Sequence, residues 1–128
     1  MKILVEIAPG ELIDKLTILD IKLEKIKDES KLANIRLEHA VLMKAFRNSI
    51  KETDQLKALI ANLKHVNTML WTIEDSIREQ ERAATFGEVF LKLARSVYRT
   101  NDQRAAIKRE INELLNSAIV EEKSYASY

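Results

Sequence analysis

The amino-acid sequence predicts an all-α domain, an antiparallel bundle of four to five helices with short extended segments at its N- and C-terminal ends. Composition is the first observation: 128 residues contain only two Gly and one Pro, with 46% apolar and 32% charged residues, as in helical globular proteins. The second is a stretch from Thr53 to Arg82, without Gly or Pro, in which apolar residues recur every three or four positions. This spacing is typical of one long amphipathic helix. The length predicts a single domain spanning residues 1–128.

Local signals place the first three helices around this stretch. Residues 2–7 are apolar and β-branched, which favours a short extended segment, and Pro9 then begins a first helix that reaches about Lys27. Asp28 and its neighbours provide a cap for a second helix over roughly residues 31–51. Thr53 or Asp54 caps the third helix. Short connections of this kind make neighbouring helices antiparallel.

Two further cap signals divide the remaining chain into a fourth and a fifth helix. Thr85 and Glu88 have the spacing of a capping box, and residues 100–103 read Thr-Asn-Asp-Gln, another helix start. The fifth helix is expected to end near Asn116. A short extended segment and a polar tail over residues 121–128 follow.

The composition also restricts the function. A net charge of +1 argues against a nucleic-acid partner or a membrane surface, because both select strongly basic proteins. The absence of Cys excludes disulfides and thiolate metal sites. Glu6 and Pro9 interrupt the N-terminal apolar run too early for a signal peptide or a membrane span. We therefore expect a cytoplasmic protein without a metal or other cofactor.

A buried polar layer is predicted from the heights of residues in an antiparallel bundle. Residues equidistant from a turn share a height, which places Asp20, His39 and Asn67 at one level of the bundle. His39 with Asp20 is the nearest approach to an acid–base pair. The alternative interpretation, which we favour, is a hydrogen-bonded core histidine that fixes the register of the helices.

A candidate ligand site is predicted beside this layer. Glu74 and Arg78 lie among apolar stripe positions of the third helix, and Trp71 flanks them. The predicted start of the fifth helix would offer backbone donors for an anion. The candidate ligand-binding residues are Trp71, Glu74, Arg78, Arg99, Asn101 and Arg104. The alternatives are an i,i+4 ion-pair network on the third helix and a solvated basic face.

Two classes of function remain open. Ile18 and Ile21 lie opposite the inner stripe of the first helix, so this helix needs a second packing partner, which is either another helix or another protomer. This pattern favours a non-enzymatic interaction or assembly module, as a homodimer or with a protein partner. The second class is an enzyme or binding protein for a small anionic ligand, such as a phosphorylated sugar or nucleotide. The sequence contains no Gly-rich phosphate loop, no Ser–His–Asp pattern and no HExxH motif.

Several long strings of the sequence resemble an uncharacterised bacterial family of small helical domains of unknown function. The strings are Ile7–Leu19, Leu70–Arg78, Leu93–Asp102 and Glu121–Tyr125, and the resemblance covers most of the chain. The resemblance implies a small bacterial all-α protein and no particular activity.

The sequence is also similar, in size, helix count and inward charges, to the all-helical chorismate mutases. Those enzymes present arginines on their first helix, where this chain has only Lys15, Lys22, Lys25 and Lys27. No catalytic role is therefore carried over from them.

Overall fold

A computed structural model describes residues 1–128 and contains four α-helices and no strands. The helices are α1 (Pro9–Lys25), α2 (Glu29–Ser49), α3 (Asp54–Arg82) and α4 (Glu88–Leu114). The all-helical class predicted from the sequence is confirmed. No helix combines the length and the apolar character that crossing a bilayer requires.

Side-chain caps begin α2 and α3 at the residues that the sequence indicates. The Asp28 carboxylate accepts hydrogen bonds from the backbone N–H groups of Ser30 and Lys31, at 2.9 and 3.2 Å. The Thr53 hydroxyl accepts one from the N–H of Leu56 at 3.2 Å. Each cap satisfies donors that the first turn of a helix leaves free.

The predicted division between a fourth and a fifth helix is wrong, because α4 continues without interruption from Glu88 to Leu114. Thr100 is buried inside this helix and caps nothing. The Thr-Asn-Asp signal is local, and packing of α4 along α3 overrides it. The capping box is absent as well. Thr85 donates instead to the side-chain oxygen of Gln80 at 2.7 Å and helps to close α3, while Gly87 precedes α4.

Left-handed residues end both long helices. Ala84 follows α3 with a φ of 54°, and Asn116 follows α4 with a φ of 52°. The next residue after each returns a backbone hydrogen bond into the last turn, from Thr85 to Gln80 and from Ser117 to Asn112. These bonds satisfy carbonyl groups that the helix ends leave free.

The α1 helix is the only one whose backbone lies close to all three others. α3 and α4 form one hairpin, α1 and α2 form another, and the backbone of α2 approaches that of α1 alone. The main core cluster joins residues from every helix: Leu12, Ile13, Leu16, Phe46, Leu56, Leu63 and Ile111.

Ile21 is buried in this arrangement and Ile18 is half-buried. The second packing partner of α1 is thus found among the helices of its own chain.

The two long helices extend beyond the rest of the bundle. At about 1.5 Å per residue, α3 is about 44 Å long and α1 about 26 Å. We call residues 68–82 of α3 and residues 88–99 of α4 the distal arm. Not one residue of the chain from 68 to 99 is buried. The arm is therefore a two-helix hairpin without a third helix to cover it.

Candidate functional site

A buried carboxylate joins three of the four helices. Asp14 on α1 is 1% exposed. It accepts a hydrogen bond from the side-chain amide of Asn67 on α3 at 2.8 Å. The guanidinium of Arg104 on α4 binds both of its oxygens, with Nε at 3.0 Å from Oδ1 and Nη2 in contact with Oδ2. These two hydrogen bonds match the planar geometry of a guanidinium paired with a carboxylate.

We call these contacts of Asp14, together with those that follow them along α1 and α4, the Asp14 joint. The joint continues from Asp14 toward the N-terminus of α1. The Lys108 ammonium donates to a Glu11 carboxylate oxygen at 2.7 Å, and its side chain is only 10% exposed. The backbone N–H of Gly10 donates to the side-chain oxygen of Asn112. The paired residue on α1 changes from 14 to 11 to 10 while its partner on α4 changes from 104 to 108 to 112. These two helices therefore run in opposite directions.

The electrostatics of the joint favour charged side chains. The hydrogen bonds that the Arg104 guanidinium donates to the Asp14 carboxylate raise the pKa of that guanidinium. Burial by itself lowers the pKa of Lys108, but its hydrogen bond to Glu11 and the negative charges of Glu11, Asp14 and Glu121 outweigh burial and leave that pKa raised. Both cations remain protonated near neutral pH.

Every buried polar side-chain atom in the chain has a hydrogen-bond partner. Thr17, for example, accepts from Asn67 at 2.9 Å and donates to the backbone carbonyl of Asp14 at 2.8 Å. A fully paired network of this kind fixes the relative positions of helices. The Asp14 joint therefore fixes α1, α3 and α4 relative to one another.

A regular spacing of buried residues on α1 indicates this joint in the sequence. Gly10, Asp14, Thr17 and Ile21 are all buried and follow one another at steps of four, three and four residues. Sequence reasoning missed the stripe, because only one of its four members is a large apolar residue.

The predicted polar layer is divided between two places. His39 on α2 and Asp20 on α1 lie 2.9 Å apart, from Nε2 to Oδ1, with both side chains partly exposed. Asn67 is not part of this pair and binds Asp14 and Thr17 instead. The height argument across the turn between α2 and α3 fails because these two helices do not pack side by side.

The structure does not bring the predicted ligand residues of α3 to Arg104. Arg78 is exposed and pairs with Glu74 of its own helix at 3.3 Å, from Nε to Oε2. It lies eleven residues beyond Asn67, which corresponds to about 16 Å along the helix axis. Trp71 is half-buried in the distal arm. Since α4 has no N-terminus at Asn101, the backbone donors expected there are already engaged inside the helix.

Asn101 and Arg104 instead line a cleft between α4 and the C-terminal tail. The cleft has a volume of about 740 Å³, and Lys108 and Arg109 also contribute to its wall on α4. We call it the tail cleft. Two carboxylates of the tail form salt bridges with these cations: Glu121 lies 3.3 Å from Lys108, and Glu122 lies 3.5 Å from Arg109.

Asp102 anchors the end of the tail to α4. It accepts hydrogen bonds from the Lys123 ammonium at 2.8 Å and from the Tyr128 hydroxyl at 2.6 Å. The bond from Lys123, and after it that from Tyr128, lowers the pKa of the Asp102 carboxyl group. The bond to Asp102 raises the pKa of the Tyr128 hydroxyl. The Arg99 guanidinium stacks 5.6 Å from the centre of the Tyr128 ring.

The distal arm carries the second surface of interest. Phe86, in the turn that joins its two helices, is 57% exposed, and Val89 and Leu91 on α4 are 58% and 57% exposed. Along the seam between the two helices, the apolar residues are only half-buried: Leu70, Ile73, Ile77, Phe90, Leu93 and Val97. The arm thus presents apolar side chains that a third helix would cover in a complete bundle.

Sequence comparison identifies a family but no characterised relative. The chain matches, over residues 1–128, the model of a family described as a family of unknown function, DUF6165. No curated protein matches the chain, and no solved structure matches it. No group of three or more His, Cys, Asp or Glu side chains is arranged to hold a metal ion.

Proposed function

The chain belongs to the DUF6165 family of unknown function, and we propose that it is a non-enzymatic interaction module that binds a helical protein surface through its distal arm. A cytoplasmic location is part of this proposal and agrees with the absence of Cys from the sequence.

The burial pattern of the distal arm carries the proposal. All buried residues lie before position 68 or after position 99. The arm nevertheless carries the apolar periodicity of a core-facing helix pair. Each 100 Å² of apolar surface that a partner covers contributes about 2.5 kcal/mol. This geometry favours a helical partner, because the apolar stripe of one helix packs best against the apolar stripe of another helix.

The Asp14 joint gives the distal arm a rigid base. The joint fastens α3 and α4 to α1 at Asn67 and Arg104, one residue before and five residues after the ends of the arm. A partner that binds the arm therefore meets a surface whose two helices are already fixed in relative position, which reduces the entropy lost on binding.

Charged substitutions at exposed apolar positions of the arm test this function. Val89→Lys and Leu91→Lys together change two exposed residues of α4, so the fold of the isolated chain is expected to survive. The matched control is Leu37→Lys with Val41→Lys, two residues of α2 that are 67% and 59% exposed.

The measurement is the mass and composition of the purified protein by analytical ultracentrifugation and mass spectrometry. We expect the native protein and the α2 control to be associated with a stoichiometric polypeptide, either the same chain or another. The arm variant is expected to sediment as a single chain with unchanged helical circular dichroism. A native protein that stays a lone single chain at high concentration contradicts the proposal.

The tail cleft supports a second candidate, the binding of a small anionic ligand. Arg104, Lys108 and Arg109 contribute three cations to one wall, where Arg104 also binds Asp14 and Lys108 also binds Glu11. Glu121 and Glu122 of the tail pair with Lys108 and Arg109. A phosphorylated sugar or nucleotide would offer the same cations a more concentrated negative charge.

Thermal denaturation with millimolar hexose phosphate or nucleoside triphosphate tests this candidate. A ligand present at 100 times its Kd stabilises the fold by about 2.7 kcal/mol. We expect a rise in Tm that Arg109→Ala removes and that Arg47→Ala, a change to an exposed residue of α2, preserves. An unchanged Tm with both classes of ligand rejects the candidate.

A further inference from the structure

Residues 1–7, which we call the N-terminal segment, are mostly apolar and are covered by no helix. The apolar side chains are all exposed: Met1, Ile3, Leu4, Val5 and Ile7. The segment contains no helix, turn or bend. It is held to the bundle at one end, where Ala8 is buried and α1 begins at Pro9. A contiguous apolar surface that is exposed in this way is typical of a site of protein association.

The backbone of the N-terminal segment is not hydrogen-bonded to any other part of the backbone. Of the 13 backbone hydrogen bonds outside the helices, none involves residues 1–7. Lys2 and Glu6 form no salt bridge. Since the chain contains four helices and no strand, a strand that pairs with this segment has to come from another molecule.

The side chains of the segment alternate in character. In an extended backbone, successive side chains point to opposite faces. One face is entirely apolar and carries the odd-numbered residues: Met1, Ile3, Val5 and Ile7. The other face carries Lys2, Leu4 and Glu6, with the two charges placed symmetrically about Leu4. This alternation of apolar, mainly β-branched residues with charged ones is typical of a β-strand.

We infer that the N-terminal segments of two copies of this chain pair as antiparallel β-strands about a twofold axis between their Leu4 residues. In this register Lys2 of each copy lies opposite Glu6 of the other, and opposite charges at such positions stabilise the pairing of two strands. Because the axis is twofold, this ion pair forms twice. On the other face, Ile3 of each copy lies opposite Val5 of the other, so apolar residues contact apolar residues.

Other registers of the two segments are less favourable. Parallel strands in register place Lys2 against Lys2 and Glu6 against Glu6, and like charges directly opposite each other are destabilising. An antiparallel shift by one residue places even-numbered residues opposite odd-numbered ones, so each charge lies opposite an apolar side chain. A shift by two residues removes both ion pairs and shortens the overlap. The positions of the two charges therefore select one register.

The apolar face of the paired strands is the face turned toward the helices. Leu4, on the charged face, is 98% exposed, whereas Val5 and Ile7 on the apolar face are 70% and 40% exposed. A two-stranded sheet is only marginally stable by itself and gains stability when it packs against a helix. We therefore expect a weak dimer with a Kd of about 0.5 mM, which is hardly populated at micromolar concentrations.

This pairing goes beyond the proposed function and does not depend on the distal arm. Gly10, which follows the N-terminal segment, contacts Asn112 near the end of α4, whereas the arm contains the start of α4. The two surfaces therefore lie at opposite ends of α4. The pairing is tested in the full chain that carries Val89→Lys and Leu91→Lys, so that association through the arm does not contribute.

Backbone amide hydrogen exchange, followed by NMR, tests whether the segments pair. Chain concentrations of about 0.05 mM and about 2 mM lie on either side of the expected Kd. At the higher concentration, exchange is expected to slow about threefold at every second amide of residues 2–7, because only alternate amides of an antiparallel strand face its partner. The amides between them are expected to keep their rates.

Introduced cysteines test the register, because the chain contains no Cys. In Leu4→Cys, the new residues of the two copies lie directly opposite, with Cα atoms about 4.5–5.5 Å apart, as a disulfide requires. Ile3→Cys is the matched control, because its two new residues are diagonal neighbours about 7–8 Å apart, which is too far. With oxidised glutathione, Leu4→Cys is expected to form linked dimers at least about tenfold faster than Ile3→Cys. A mixture of Ile3→Cys with Val5→Cys is expected to form the mixed disulfide as fast as Leu4→Cys does.

Charge reversal tests the ion pairs. Lys2→Glu alone and Glu6→Lys alone each place like charges opposite each other, so each is expected to reduce the slowing of exchange at high concentration. Both substitutions in one chain exchange the two charges and restore the ion pairs, so exchange should slow again. An equimolar mixture of the two single variants should behave in the same way, because each variant supplies the charge that the other needs.

Three results would overturn the inference. Exchange rates that do not depend on chain concentration show that the segments do not pair with each other. Equal rates of cross-linking for Leu4→Cys and Ile3→Cys exclude the register. Protection that requires a co-purified polypeptide assigns the strand to a sheet of another protein. None of these results bears on the distal arm, and an arm that binds no partner leaves the pairing of the N-terminal segments intact.

Discussion

The backbone N–H of Gly10 donates a hydrogen bond of 2.7 Å to the side-chain oxygen of Asn112, 102 residues later in the sequence. This bond closes the first turn of α1 against the last turns of α4. It satisfies a donor that no residue within α1 can satisfy. The absence of a side chain at Gly10 is what lets the two helices approach this closely.

Replacing Gly10 by Ala is expected to destabilise the fold. A Cβ atom at this position would lie 2.7 Å from the backbone oxygen of Lys108 and 2.8 Å from the Asn112 side chain. Since the Lys108 oxygen belongs to a helix backbone, relief requires a shift of α1 or α4, at a cost of about 1–3 kcal/mol. Urea denaturation measures the change. Gly87→Ala is the control, because nothing lies within 4 Å of the added atom there. Equal effects of the two substitutions would refute the argument from close approach.

Removing the Asp14 carboxylate is expected to destabilise the protein more than removing the whole ion pair. Asp14→Ala leaves the Arg104 guanidinium, whose side chain is 30% exposed, without its partner. Breaking a buried pair in this way costs about 3–5 kcal/mol, and we expect the lower end because Arg104 retains contact with water. The double variant Asp14→Ala with Arg104→Met should recover part of the loss. A double-mutant cycle from urea denaturation measures the coupling, and strictly additive effects would show that the two groups act independently.

The stability of the protein is expected to fall in alkaline solution as Lys108 loses its proton. Its pKa in the folded protein is raised above the ordinary value of 10.5. A raised pKa means that the folded state binds this proton more tightly than the unfolded state. The contribution is therefore fully present below the unfolded pKa and is lost as pH rises through the folded pKa.

Lys108→Met separates this effect from the titration of other lysines and tyrosines. The free energy of unfolding, measured from about pH 9 to pH 12, should fall more steeply for the native protein than for the variant. Parallel curves would mean that the ion pair of Lys108 with Glu11 makes no contribution that depends on pH.

Substituting Gly for Ala84 is expected to stabilise the protein. Ala84 has a φ of 54°, in the left-handed region that residues with a Cβ atom occupy at a cost of about 1 kcal/mol. Gly adopts this conformation without that cost and is the preferred residue at such a helix end. Thermal denaturation should show a gain below about 1 kcal/mol, since Gly also loses more entropy on folding. Ala83→Gly, at a φ of −80°, should destabilise the fold, and a gain there would contradict the conformational explanation.

Signals confined to one helical turn predicted the fold well where no distant helix intervened. The caps at Asp28 and Thr53 depend only on residues two or three positions away. The signal at Thr100 is of the same kind, yet it fails because this residue lies where α4 packs on its neighbours. Its burial among other helices is decided by contacts that no local pattern contains.

The candidate site could be predicted only in part for a related reason. The sequence predicts Asn67 as part of a buried polar layer and Arg104 as a candidate ligand-binding residue, but their common partner, Asp14, lies 53 and 90 positions away. Placing the three together requires knowing that α1, and not α2, lies beside α3 and α4. Chain order favours α2, because it directly precedes α3. The composition of the site therefore depends on which helices are neighbours in the fold, and the periodicity of apolar residues in the sequence does not determine that arrangement.

The central position of α1 has a consequence for how the chain folds as it is synthesised. Ribosomes build α1 first, and the α1–α2 and α3–α4 hairpins can each form from neighbours in sequence. The carboxylate of Asp14, however, stays hydrated until Arg104 emerges 90 residues later. Stable burial of α1 must therefore await translation of the last helix. A nascent chain stalled before α4 is expected to keep the inner face of α1 accessible to chaperones and proteases.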